Sequence, residues 1–229
     1  MTSDLAVCLV SGGLDSGVAA ALAGREYRLA LLHCNYGQRT EGRELQAFHD
    51  LADYFAVPEK LRLVVDLDHF RRIGGSSLTD RARGIPAGEP GPGEVPSTYV
   101  PFRNANLLAL AVSWGEVIGA KRVFIGAMEE DSSGYPDCRE DFFRVFNLAI
   151  ELGTGPGCEI RVETPLIHLA KAEVVRRGLE IGAPLHLTWS CYVSPGPEPC
   201  GLCASCRLRA RGFQEAGVSD PAGGGSVSE

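Results

Sequence analysis

Two short stretches carry residue types whose spacing suits chemistry. The first is Ser11-Gly12-Gly13-Leu14-Asp15-Ser16, set between the apolar run Leu5–Val10 and the small-residue run Gly17–Ala23. Those runs predict a buried parallel strand followed by a closely packed helix. The glycines let the backbone turn sharply with its N–H groups inward, and the helix N-terminus adds its dipole, so an anion site is expected. No lysine follows, which excludes a phosphate loop of the GxxxxGK[ST] type. Ser11 and Ser16 can donate to phosphate oxygens, and Asp15 can hold Mg²⁺ against them. The second stretch is Cys200-Gly201-Leu202-Cys203-Ala204-Ser205-Cys206, with Cys191 nine residues upstream. Four thiolates close a tetrahedral site around Zn²⁺ with no open position, so such a metal is structural. An iron–sulfur cluster also accepts four cysteines, and spacing does not separate the two.

Further polar residues stand where chemistry is plausible but a plainer role competes. The stretch Asp131–Arg139 is too polar for a core; in it, an acidic side chain could accept from a guanine-like edge and a ring could stack on it. By position alone, Asp137 reads as a helix N-cap. Arg103-Asn104, just before a helix, could reach a phosphate or carboxylate. Lys171, and Arg207, Arg209 and Arg211, read by themselves as solvated charges.

Positioning these groups requires an alternation of strands and helices. Strands are expected over Leu5–Val10, Leu29–Cys34, Leu61–Val65, Arg122–Ala127 and Glu159–Glu163. Helices are expected after the first strand and over about Glu41–Phe55, Asn104–Ile118, Arg139–Leu152 and Leu169–Ile181, the second with Leu45, Phe48, Leu51, Ala52 and Phe55 on one face. This order predicts an α/β fold: a five-stranded parallel sheet with helices on both faces, joined by right-handed crossovers. Ligands in such sheets bind beyond the carboxyl ends of the strands, which groups Ser11–Ser16, Asn35–Arg39 and Gly126–Arg139 into one crevice. The Gly/Pro-rich connection Asp68–Pro101 shows no strand or helix pattern and is expected to act as a lid. The expected organisation is a main domain over 1–183, a metal-binding segment over 184–213 and a disordered tail over 214–229.

The chain has 229 residues, 45% of them hydrophobic, enough for one sizeable core. No run is long and apolar enough to span a membrane, and no signal peptide is read at the N-terminus. Eight clustered cysteines without such a signal favour a reducing, cytoplasmic compartment over a disulfide scaffold. The formal net charge of −7 argues against a nucleic-acid partner.

Taken in order, SGGLDS at Ser11–Ser16, YGQR at Tyr36–Arg39, RN at Arg103–Asn104 and SGYPDCR at Ser133–Arg139 resemble the QueC family of 7-cyano-7-deazaguanine synthases. So do TPLI at Thr164–Ile167 with Lys171, TWSCY at Thr188–Tyr192 and the final PCGLCASC. Thr40 stands where the family often has His, and Gly17 and Val18 where hydroxyl residues often follow the turn. The resemblance implies a member of the PP-loop ATP pyrophosphatases, with an adenine nucleotide alpha hydrolase-like, Rossmann-like fold. It implies a ligase that uses ATP, Mg²⁺ and ammonia to convert 7-carboxy-7-deazaguanine to the nitrile, in a homodimer. Residues Val10, Ser11, Gly12, Gly13, Leu14, Asp15, Ser16, Gly17, Val18, Ala19 and Ala20 are then expected to bind ATP. Asp15, Ser16, Lys171 and Arg103 are expected to be catalytic, Tyr135, Asp137 and Arg139 to read the deazaguanine, and Cys191, Cys200, Cys203 and Cys206 to hold Zn²⁺. Rival readings are a PP-loop enzyme that thiolates tRNA and a non-catalytic nucleotide- or zinc-binding module.

Overall fold

Ala6, Val7 and Cys8 are fully buried although successive strand residues point to opposite faces, so the first strand is covered on both sides. The computed structural model, which describes residues 4–86, 94–129 and 134–221, builds this as the centre of one parallel sheet. Its strands are β1 (Leu5–Leu9), β2 (Arg28–Asn35), β3 (Arg62–Asp66), β4 (Arg122–Ile125) and β5 (Arg161–Glu163), in the order β3-β2-β1-β4-β5. Val7 stands opposite Ala30 on one side and Val123 on the other. The chain builds outward from β1 to β3, then returns to place β4 beside β1. The order therefore reverses between β1 and β4, and the crevice beyond their carboxyl ends is the natural ligand site.

Seven helices join or flank the strands among the described residues: α1 (Leu14–Ala23), α2 (Glu41–Tyr54), α3 (His69–Ile73), α4 (Arg103–Ile118), α5 (Glu140–Gly153), α6 (Lys171–Glu180) and α7 (Ala204–Ala216). Phe48 and Leu51 of α2, Leu108 of α4, and Leu31 and Leu32 of β2 are fully buried in the main core. Burying each such side chain contributes about 1.5–3 kcal/mol. The small residues of α1 let it serve two cores. Ala20 and Ala23 face the sheet, while Leu14, Val18 and Ala19 pack with Val174, Val175, Leu185 and Phe213.

The structure differs from the sequence expectations at several points. Helix α1 begins at Leu14 and not at Gly17, because Leu14, Asp15 and Ser16 form its first turn and Gly17 N–H donates to Gly13 O. β4 ends at Ile125, and β5 starts only at Arg161. The connection 68–101 is not wholly irregular, since it holds α3. The expected solvated face of α7 is wrong at one of its three arginines: Arg207 and Arg211 are exposed, but Arg209 falls on the helix face of Cys206 and Phe213 and is buried. The expected tail is ordered at its start, with α7 running to Ala216 and Asp220 buried against Arg209. Residues 87–93 of the expected lid, 131–133 of the polar loop and 222–229 of the tail lie outside the described residues. No helix among the described residues is long and apolar enough to cross a membrane.

Candidate active site and metal centre

A cavity of about 630 Å³ opens beyond the carboxyl ends of β1, β2 and β4, within the range of ligand sites. Its floor is apolar, from Leu9, Val10, Leu32, Ile125 and Ala127. One wall is the turn after β1, held by close backbone approaches. Gly12 has φ +84°, and a Cβ there would lie 2.6 Å from the Glu44 carbonyl oxygen of α2. A Cβ at Gly126 would lie 2.6 Å from the Asp15 carbonyl carbon, so only glycine after β4 admits this turn. From below, His33 Nδ1 donates to the Val10 carbonyl at 2.8 Å. From outside, Trp189 N–H donates to the Gly12 carbonyl at 2.8 Å. Ser11 and Ser16 Oγ lie 3.2 Å apart at the mouth of this turn.

Lys171, at the first turn of α6, is buried with its Nζ 2.8 Å from both carboxylate oxygens of Asp15 and 3.3 Å from Met128 Sδ. The solvated reading of this lysine does not hold, because α6 starts against the turn after β1. Asp15 keeps a 30% exposed side chain and, with the two serine hydroxyls, offers the hard oxygen donors that suit Mg²⁺. Before the opposite wall, Phe102 takes a left-handed backbone (φ 57°, ψ 28°), a strain of about 1–3 kcal/mol, and its N–H donates to Tyr99 Oη at 3.0 Å. This bend starts α4 with Arg103 turned to the cavity. The Arg103 guanidinium lies 5.5 Å from the Tyr36 ring centroid and donates through Nη1 to Tyr36 Oη at 3.2 Å. Its buried Nε has no hydrogen-bond partner among the described residues, a donor waiting for an acceptor. Tyr36, Tyr135 and Tyr192 converge here, and burial pushes the Tyr36 phenol up to about 12, so it stays neutral.

The structure brings together Val10, Ser11, Gly13, Leu14, Asp15, Ser16, Arg103, Tyr135 and Lys171 on this cavity. It does not bring Gly12, whose carbonyl faces Trp189, nor Gly17, Val18, Ala19 and Ala20, which pack inside α1. Asp137 is buried away from the cavity wall. Its Oδ2 accepts from Asn104 N–H and its carbonyl from Asn104 Nδ2, both at 2.9 Å, so it caps the start of α4. Arg139 precedes α5 and does not line the cavity either. The crevice grouping of Asn35–Arg39 took in Tyr36, which lines the cavity; sequence reasoning missed Glu44, Tyr192 and Trp189, the last two held in the motif TWSCY with nothing in its spacing pointing them inward.

The four sulfurs of Cys191, Cys200, Cys203 and Cys206 all lie within 4.8 Å of one another. Cys191 Sγ accepts N–H bonds from Val193, Ser194 and Cys200 at 3.2–3.4 Å, and Cys200 Sγ accepts from Cys203 N–H at 3.4 Å. Hydrogen bonds from the Cys203 and Cys206 thiols, and then from backbone amides, hold the Cys191 thiol well below its usual range. Four close sulfurs with amide donors fit one tetrahedral ion; a multi-iron cluster spreads its cysteines over several metal atoms. Trp189 N–H on Gly12 O ties the segment to the turn after β1, and Arg209 ties the segment's own parts together. Arg209 donates to Thr188 Oγ1 (2.8 Å), Ser190 Oγ (3.2 Å) and Leu185 O (3.2 Å), while Asp220 accepts from it at 2.6 and 2.9 Å.

Residues 5–217 match the family described as queuosine biosynthesis protein QueC. A 7-cyano-7-deazaguanine synthase of Chlorobium phaeobacteroides is 53% identical over 217 residues, covering 94% of this chain and 95% of its own length. One from Acidobacterium capsulatum is 56% identical over 220 residues, with 94% of each chain covered. Among solved structures, the U34-tRNA thiolase NcsA of Methanococcus maripaludis, with its [4Fe-4S] cluster, aligns at a TM-score of 0.50 and 13% identity. That alignment covers 94% of this chain and 66% of that one, a likeness of fold. With the match spanning strand, turn, cavity and cysteine segment alike, the chain belongs to the QueC family.

Proposed function

We propose that this protein is an ATP-dependent ligase that converts 7-carboxy-7-deazaguanine and ammonia to 7-cyano-7-deazaguanine. The observation that carries the reading is one cavity with two facing cationic groups. Lys171 stands at the phosphate turn, and Arg103 carries an Nε with no partner among the described residues on the far wall. A carboxylate is a poor electrophile, so its oxygen attacks the α-phosphate of ATP and pyrophosphate departs. The turn amides, Ser11, Ser16 and Lys171 hold that pyrophosphate, and Arg103 holds the acid beside it. The apolar strand ends Leu9, Val10, Leu32 and Ile125 form a floor for a flat base. Ammonia displaces AMP to give an amide, whose oxygen is adenylated in turn, and loss of the second AMP leaves the C≡N bond. Positioning and electrostatics suffice, and no covalent bond to the enzyme is needed. Mg²⁺, held by Asp15 with the serine hydroxyls, supplies charge neutralisation for the departing pyrophosphate.

In the same reading, Cys191, Cys200, Cys203 and Cys206 hold a structural Zn²⁺ that fixes the C-terminal segment to the phosphate turn. Tyr135 stacks on the deazaguanine. The enzyme acts as a homodimer in the cytoplasm without a nucleic-acid partner; the exposed stripe Val145, Leu148 and Leu152 along α5 supplies an apolar face for a second copy. The test is AMP release from ATP on adding 7-carboxy-7-deazaguanine and ammonia. Asp15→Asn is expected to abolish it while zinc content is kept, and normal turnover in that variant overturns the ATP assignment.

A further inference from the structure

One buried carboxylate on the cavity wall is not used by the mechanism above. Glu44, in the first turns of α2, lines the cavity. Its Oε1 accepts from Thr40 Oγ1 at 2.7 Å and its Oε2 from Gln38 Nε2 at 3.2 Å, both neutral donors. Gln38 is itself fixed, since its Oε1 accepts the Tyr36 N–H at 2.7 Å. The same turn of α2 rests on the phosphate turn, where the Glu44 carbonyl blocks any side chain at Gly12. Two carboxylate oxygens with four lone-pair directions and two donors keep acceptor capacity for something in the cavity.

We propose that Glu44 is the group that binds ammonium in the cavity and takes its proton, delivering ammonia to the adenylated acid. The inference rests on the ligase reading. At neutral pH the dissolved species is overwhelmingly ammonium, which has no lone pair and cannot attack a carbonyl. A cation entering this cavity finds the Glu44 carboxylate and the faces of tyrosine rings. An N–H bond breaks with its electron pair left on nitrogen, and the proton passes to Glu44. Nitrogen then bonds to the acyl carbon, and the bond from that carbon to the AMP oxygen breaks with its pair leaving on AMP. The nitrogen sheds one further proton and Glu44 releases its own, both to solvent, so ammonium and acyl-adenylate give amide, AMP and two protons.

Position favours this role over recognition of the base. The amino-pyrimidine edge of a deazaguanine lies across the bicyclic ring from its carboxyl group. Glu44 lies between the phosphate turn and Arg103, its backbone packed on Gly12 of that turn and its carboxylate within reach of the Arg103 charge, where the proposed reaction places the carboxyl. The groups facing it are Arg103 from α4, Tyr36 after β2, and Glu41 on α2 itself. Burial raises the Glu44 carboxyl pKa; the Thr40 and Gln38 hydrogen bonds and the Arg103 charge pull it down, and Glu41 pushes it up. The net direction is upward, toward the working pH, where a general base is most effective.

The test is steady-state kinetics with ammonium chloride as the varied substrate. Glu44→Gln is expected to lower kcat/KM for total ammonia about 100-fold at neutral pH while the KM values for ATP and the acid stay unchanged. That loss should shrink as the pH is raised and free ammonia becomes abundant. Supplied directly with the 7-carboxamide, which needs no ammonia, the variant should form the nitrile at the wild-type rate. A loss independent of pH, an equal loss with the carboxamide, or a raised KM for the acid each overturns the proposal. Absence of AMP release by the wild-type enzyme with all substrates present overturns the ligase reading itself, and this inference with it.

Discussion

Lys171–Asp15 and Arg209–Asp220 are both buried ion pairs, yet they do opposite work. Arg209 spreads its donors over Asp220, Thr188, Ser190 and Leu185, and both partners are under 10% exposed. Nothing is left over for a ligand. Among the described residues Lys171 meets one strong acceptor group, its other neighbour being a thioether, and its partner Asp15 stays 30% exposed at the cavity. The first pair is closed and holds the C-terminal segment in place. The second is open, so its charges can be redistributed when an anion or cation arrives. Saturation of donors, more than burial, separates a structural charge from a working one.

Variants can break this comparison or sharpen it. The largest effect is expected from Lys171→Met, which leaves the phosphate turn without its cation. Turnover should fall about 10³-fold, with the thermal midpoint little changed because Asp15 still reaches water. A smaller but opposite pattern is expected from Asp220→Ala, which strands Arg209 unpaired. Urea unfolding should show a loss of about 3–5 kcal/mol, while turnover of the folded fraction persists. If instead Asp220→Ala removes turnover at unchanged stability, the two pairs are not different in kind. The smallest effect is expected from Asp137→Ala, which removes the carboxylate cap on α4. A loss of about 1 kcal/mol with an unchanged KM for 7-carboxy-7-deazaguanine would mark Asp137 as structural; a raised KM would return it to the substrate site.

Much of the fold could be read from residue patterns. The apolar runs of β1 and β2 and the helical spacing of Phe48 and Leu51 are local signals, and each element formed where they stood. The errors were at boundaries: Leu14–Ser16 joined α1, and Glu159 and Ile160 stayed outside β5. α3 was missed because its five residues are too short a run for the spacing of Phe70 and Ile73 to stand out between Asp68 and the Gly74-Gly75 break. In the site, the SGGLDS turn and the CxxCxxC spacing were legible because each concentrates its chemistry within seven residues. Glu44 and Arg209 were not, and Lys171 only through the family resemblance. Each is a charged helix residue whose default is solvation, and only the neighbour packed against it changes that.

The sequence by itself therefore determined the element order, the glycine turn after β1 and the four-cysteine set. Each depends on residues close together in the chain, where dihedral preference, hydrophobic period and ligand spacing act directly. The tertiary structure alone decided which charges face the cavity. It put Lys171 on Asp15 across 156 residues, turned Asp137 from the crevice to the start of α4, and closed Arg209 over Asp220. A side chain's role depends on whether its donors and acceptors are already satisfied. That is set by contacts between segments whose distance in the chain carries no signal.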